Sequence, residues 1–253
     1  MRNRNLYASV SLIFIFVISF TSDVVAQTYS FSFITNEDLV WKCNICNLNK
    51  MNNIFGDNWS NSGLFENLGQ GKRMKWQVNT TKVNSTYLSA TFNLWVWKNG
   101  GNWGSYDYIT EFSYFKDPTQ YTSNTNLSIA LPFVPFWLPI PVSIYLGELT
   151  LNSMYDVDNR VLPTINVQVS KGLLESLIPS EKVVIIAIYN YDGILSSFKL
   201  YTSGNVVIID IELDSLPIYV LPATLGLIGA FFISIIIYIK KKRKNQSVNN
   251  KLI

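Results

Sequence analysis

Residues 216–239 form an unbroken stretch of 24 positions without a single Asp, Glu, Lys or Arg. As an α-helix rising about 1.5 Å per residue, such a stretch is about 36 Å long, enough to cross a hydrocarbon core of roughly 30 Å. The cluster Lys240, Lys241, Lys242, Arg243 and Lys244 follows at once. Dense positive charge stays on the cytoplasmic side of a bilayer, so these five residues read as a stop-transfer signal. A single-pass transmembrane helix, with residues 240–253 as a short basic cytoplasmic tail, is the expectation. Gly226 and Ala230, four apart, have the small-residue spacing that lets two such helices approach closely.

The other end of the chain is hydrophobic in a different way. Arg2 and Arg4 precede an uncharged run over 6–20, and Val24, Val25 and Ala26 supply small residues where a signal peptidase reads. The three-part pattern predicts a signal peptide over 1–26. What remains, 27–215, is an extracytoplasmic domain long enough to bury a core of its own. The chain then sits in the cell membrane with its ectodomain outside and its C-terminus in the cytoplasm.

This partition changes the meaning of the net charge. The whole chain carries +3, but the leader accounts for +1 and the tail for +6, which leaves −4 on the ectodomain. A mildly acidic domain repels phosphate backbones, so nucleic acid is excluded as a partner.

Within the ectodomain, period-two alternation dominates. Leu88, Ala90, Phe92, Leu94 and Val96 fall on one face of a segment whose other face carries Trp95 and Trp97, the pattern of a half-buried strand. A Gly-rich turn around Trp103 and an aromatic run over 106–115 complete a hairpin. Segments 182–190, 194–202 and 205–213 alternate and are separated by tight turns, which predicts a three-stranded antiparallel meander. Strands are also expected over 28–34, 73–80 and 164–170, and short helices over 147–155 and 173–178. The fold class is mainly β: an antiparallel β-sandwich, open barrel or curved sheet, plus the one C-terminal transmembrane helix.

One stretch fits neither element. Residues 131–141 are strongly apolar but carry Pro132, Pro135, Pro139 and Pro141, which remove backbone donors and forbid a helix interior or a central strand. An irregular apolar loop is expected. It either closes the core or offers Phe133, Phe136 and Trp137 to an apolar ligand or to the membrane.

No histidine occurs in the chain, which removes the usual general base and the commonest metal ligand. A carboxylate-dependent hydrolase using two of Asp107, Glu111, Glu148, Asp156 and Asp158 is the one catalytic alternative that the sequence leaves. Cys43 and Cys46 form a lone C-x-x-C, too few ligands for zinc, and an oxidising exterior favours a disulfide between them or between neighbouring copies. Asp156, Asp158 and Asn159 offer oxygens to calcium but lack the rest of an EF-hand loop. Asn58, Asn79, Asn84 and Asn126 open N-glycosylation tripeptides. Trp95, Trp97 and Trp103 are placed to form an aromatic platform. Without a catalytic or cofactor signature, the leading expectation is a non-enzymatic cell-surface protein. Its ectodomain binds a partner protein, a surface glycan or a neighbouring copy as a homo-oligomer. A carrier or sensor of lipid-like ligands is the alternative from another class.

Overall fold

The computed structural model describes residues 28–214, apart from 101, 122–124, 129, 171–178 and 203. The expected signal peptide, the apolar segment 216–239, the stop-transfer cluster and the helix expected over 173–178 lie outside the described residues. Among the described residues, no helix is long and apolar enough to cross a membrane.

The strands are β1 (Asp38–Cys46), β2 (Arg73–Val83), β3 (Tyr87–Lys98), β4 (Tyr108–Phe115), β5 (Tyr155–Asp158), β6 (Thr164–Val169), β7 (Val183–Tyr189), β8 (Leu195–Thr202) and β9 (Val207–Leu213). Two short helices, α1 (Leu48–Phe55) and α2 (Val142–Glu148), lie outside the sheet. All the strands form one antiparallel sheet in the order β4-β3-β2-β1-β9-β8-β7-β6-β5. This is one open antiparallel sheet with two edges, β4 and β5, within the mainly β class expected from the sequence. The meander β7-β8-β9 and the hairpin β3-β4 lie where their alternation placed them. Segment 28–34 contributes only the bridge between Ser30 and Ile140. The helix expected over 147–155 occurs earlier, as α2, and Tyr155 begins a strand instead.

The topology explains the apolar loop. The two edge strands are consecutive in sequence, so the chain between them must travel from one side of the sheet to the other. It does so across the apolar face, and residues 131–139 are buried there, apart from the half-buried Pro135. Phe136 packs edge-on against Trp41 of β1 at 4.9 Å between centroids and stacks on Trp76 of β2 at 5.3 Å. Trp137 meets Phe33 and Tyr114. A segment buried this deeply must satisfy its backbone, and prolines help by removing donors. Three tyrosines from three strands do the rest. Tyr155 donates its hydroxyl to the Phe133 carbonyl at 2.9 Å, Tyr189 to Pro135 at 2.7 Å and Tyr114 to Trp137 at 2.8 Å. Alternate carbonyls of the loop are thus held by β5, β7 and β4. Backbone bonds from Leu195 to Phe136 and between Leu138 and Gly193 fix it to the β7-β8 turn.

Burial pushes the phenols of Tyr114, Tyr155 and Tyr189 above their usual range. Because the folded values are raised, the native state holds these protons after the unfolded chain, with tyrosines near pH 10, has begun to lose them. Their contribution is complete below about pH 10 and declines as pH rises towards the folded values. Chemical denaturation at stepped pH should therefore show stability falling above about pH 10, and Tyr189→Phe should fall less steeply. A stability curve flat through that range would contradict the buried hydroxyl contacts.

The opposite face of the sheet is solvated. Lys199 reaches Asp210 and Glu212, Arg73 reaches Asp214, and Lys75 reaches Asp38, as suits an antiparallel sheet with one face on the core and one in water.

Candidate functional site

Phe133, Phe136 and Trp137 are at most 1% exposed. They fill the apolar face and do not offer themselves to a ligand or membrane. The interior that a lipid carrier would need is occupied, over this face, by the chain's own side chains.

The expected tryptophan platform is also dismantled, by a β-bulge. Between the pairs Lys75–Trp95 and Arg73–Lys98, β3 has one more residue than β2, and Trp97 takes φ +35°. Such a conformation costs a bulky residue about 1–3 kcal/mol. The bulge turns Trp97 into the core, where its indole N–H donates to the Leu64 carbonyl at 2.7 Å. Trp95 remains on the solvated face, but the Lys75 ammonium stands 3.8 Å from its ring centroid and 5.5 Å from that of Trp103. A cation–π contact within the protein therefore already occupies the aromatic surface expected for a ligand.

Cys43 and Cys46 are joined to each other. Residues three apart face opposite sides of a regular strand. The register of β1 on β9 shifts between Cys43 and Ile45, and this irregularity allows both sulfurs to sit in the core. The link is within one chain, so neither cysteine is left to bridge neighbouring copies. The four sequon asparagines, Asn58, Asn79, Asn84 and Asn126, are all exposed.

Three of the five carboxylates proposed for hydrolysis are engaged in hydrogen bonds or ion pairs. Asp107 pairs with Lys98 at 3.0 Å through one oxygen and accepts the Val96 N–H at 2.9 Å through the other. Glu148 accepts the Tyr29 hydroxyl at 2.6 Å. Asp158 is gripped by Arg160 through both oxygens, and these hydrogen bonds hold its carboxyl down to about 2. Asp156 and Glu111 are exposed on edge strands. Among the described residues, no group of three or more His, Cys, Asp or Glu side chains could hold a metal ion.

Three recesses lie along the β4 edge, and two others, of about 480 and 380 Å³, lie beside Cys46 and Asn47 and beside Asp158 and Val161. The bond from Trp97 to Leu64 staples the segment around the short 3-10 turn Gly63–Phe65 against the end of β3. This leaves a polar recess of about 560 Å³, lined by Glu66, Asn67, Lys72, Lys98, Asp107 and Tyr108. A second recess of about 470 Å³ is more apolar and is lined by Leu64, Leu94, Ile109, Thr110 and Phe112. Both share Glu66, Val96 and Tyr108. The Tyr108 hydroxyl donates to Glu66 at 2.6 Å, and this bond to a carboxylate pushes the phenol above its usual range. On the other side of Phe112 a third recess, of about 220 Å³, is formed with Tyr114, Tyr121, Leu127 and Leu149.

Of these residues, only Asp107 is a candidate site residue from the sequence, as a catalytic carboxylate. Tyr108, Glu66 and Phe112 carry no motif. The available signal was the run of aromatics through β4, whose exposed first member, Tyr108, meets Glu66 of a loop distant in sequence. No protein-family model, curated protein or solved structure matches the chain.

Proposed function

We propose that the chain is a single-pass, membrane-anchored cell-surface protein, non-enzymatic, whose β domain binds a partner along the β4 side of its sheet. The single observation that carries recognition is the pair of recesses flanking Phe112 together with the polar one beside Tyr108, in which hydrogen-bonding groups and apolar walls converge beside exposed aromatics. Binding sites have this composition. Anchoring rests on residues 216–239 and the lysines behind them, and orientation on the side at which those lysines stay. A partner protein is favoured over a surface glycan, because the recesses border β4, an edge strand of the sheet.

The test uses the full-length protein displayed on cells. Protease applied from outside should digest the β domain and spare the tail. The detergent-solubilised protein should capture a component of the same cells at micromolar concentration, and Tyr108→Ala should weaken that capture about tenfold, since exposed aromatics dominate such interfaces. Capture that survives removal of protein but not of sugar from the target would assign a glycan. Failure to bind any surface component, or itself, would end the recognition reading.

A further inference from the structure

We infer that β4 is a docking edge to which an extended peptide segment of a partner protein, apolar at alternate positions and basic between them, adds as a tenth, hydrogen-bonded strand. This rests on the surface-recognition reading above and specifies how the partner is held.

The direction of the backbone groups follows from the ladder. Lys116 donates its N–H to Thr86, and the pairs 114–88, 112–90 and 110–92 continue that register towards β3. In an antiparallel pair, residues bonded to the neighbour alternate with residues facing away. Ile109, Glu111 and Ser113 therefore point their N–H and C=O groups off the sheet. Phe115, next in the series, confirms the direction, because its outward N–H is taken by the Tyr121 hydroxyl and its carbonyl by Tyr145. No such partner is present for the backbone of Ile109, Glu111 and Ser113 among the described residues. The edge also lacks the usual protection against pairing: between Tyr108 and Phe115 there is no proline and no lysine, and the register with β3 runs without a bulge.

An open edge alone specifies nothing; the recesses supply the selection. Thr110, Phe112 and Tyr114 face the apolar side of the sheet. A strand laid along β4 would send every second side chain to that side, about 6.8 Å apart, past the recess at Leu64 and Leu94 and then past the one at Leu127 and Leu149. Main-chain bonds supplying affinity and alternate pockets supplying specificity are the pattern of strand addition. The residues between them face the opposite side, beside Glu111, the one charged side chain of β4. On a domain of net charge −4, a lysine or arginine there is the complementary choice. A second copy of this chain is disfavoured: self-pairing centred on Glu111 sets two carboxylates directly opposite each other.

The probe is a ten-residue peptide alternating valine and lysine, offered to the full-length protein in detergent. It should bind, and N-methylating the backbone groups on its pairing edge should weaken binding about tenfold or more, because several main-chain hydrogen bonds are lost at once. Ser113→Pro, which removes only an outward N–H, should weaken it similarly without unfolding the domain. Glu111→Lys should shift preference from the valine–lysine to the matching valine–glutamate peptide. Equal binding of the N-methylated peptide, no binding by the unmodified one, or a dimer that Ser113→Pro dissociates would overturn the inference. Surface capture that persists in Ser113→Pro would overturn strand addition while leaving surface recognition standing. Peptide binding by a chain that proves not to reach the cell surface would do the reverse.

Discussion

Phe136→Ala is expected to lower the unfolding free energy by about 3–5 kcal/mol, the range for deleting a buried aromatic ring. The ring is 1% exposed and wedged between Trp41 and Trp76. How much of the upper range is realised depends on whether the surroundings can collapse into the void. Here they are held. The carbonyls on both sides of Phe136 are bonded to Tyr189 and Tyr114, and its own accepts the Leu195 N–H. The loop cannot slide to fill the gap without breaking those bonds. Denaturant titration measures the difference, with Val206→Ala, 59% exposed, as a control expected within about 0.5 kcal/mol of the parent. A loss below about 1 kcal/mol at position 136 would show that the loop does not lie on the sheet.

Gly193→Ala should cost about 3 kcal/mol, far more than a methyl group normally does. Gly193 turns the chain between β7 and β8 at φ +76°, a region side chains rarely enter. The added Cβ would also overlap the Leu138 carbonyl, a backbone atom with no rotamer to escape into. Relief requires the turn and the loop to separate, which breaks the bond from the Leu138 N–H to the Gly193 carbonyl at 2.8 Å. Gly147→Ala is the informative contrast. That glycine lies in α2 with open space where its Cβ would go, so alanine should be neutral or stabilise by up to about 1 kcal/mol. Thermal melts of both variants decide the matter: equal shifts would mean that the loop and turn are not in contact.

Much of the sheet was legible because half-buried antiparallel strands show their burial as alternation. In β7 the buried Val183, Ile185, Ala187 and Tyr189 interleave with less buried neighbours, and the meander around it could be read directly. Strand β1 was harder. In β1 the alternation of Leu39, Trp41 and Cys43 is broken beyond Cys43 by the register shift, and the cysteine pair drew attention as a motif. Strand β5 is four residues long, too short for a period to show. The tryptophan platform failed for a related reason: counting by twos assumes an unbroken ladder, and a bulge reverses every face beyond it. The recesses could not be read at all, because Glu66 and Leu64 reach β4 only through the pairing of distant segments. The prolines between 131 and 141 did announce a loop, but its course from one edge of the sheet to the other depends on where β4 and β5 end up.

The pairing of β1 with β9 has a temporal consequence. The first strand to be synthesised finds one of its two neighbours in the last, so while the ribosome makes everything between them, one side of β1 has no native mate. Such a domain cannot consolidate from its beginning as it emerges, and contacts so far apart along the chain slow folding. Until β9 arrives, a strand bearing Trp41 and Cys43 is left for other chains or a chaperone to cover.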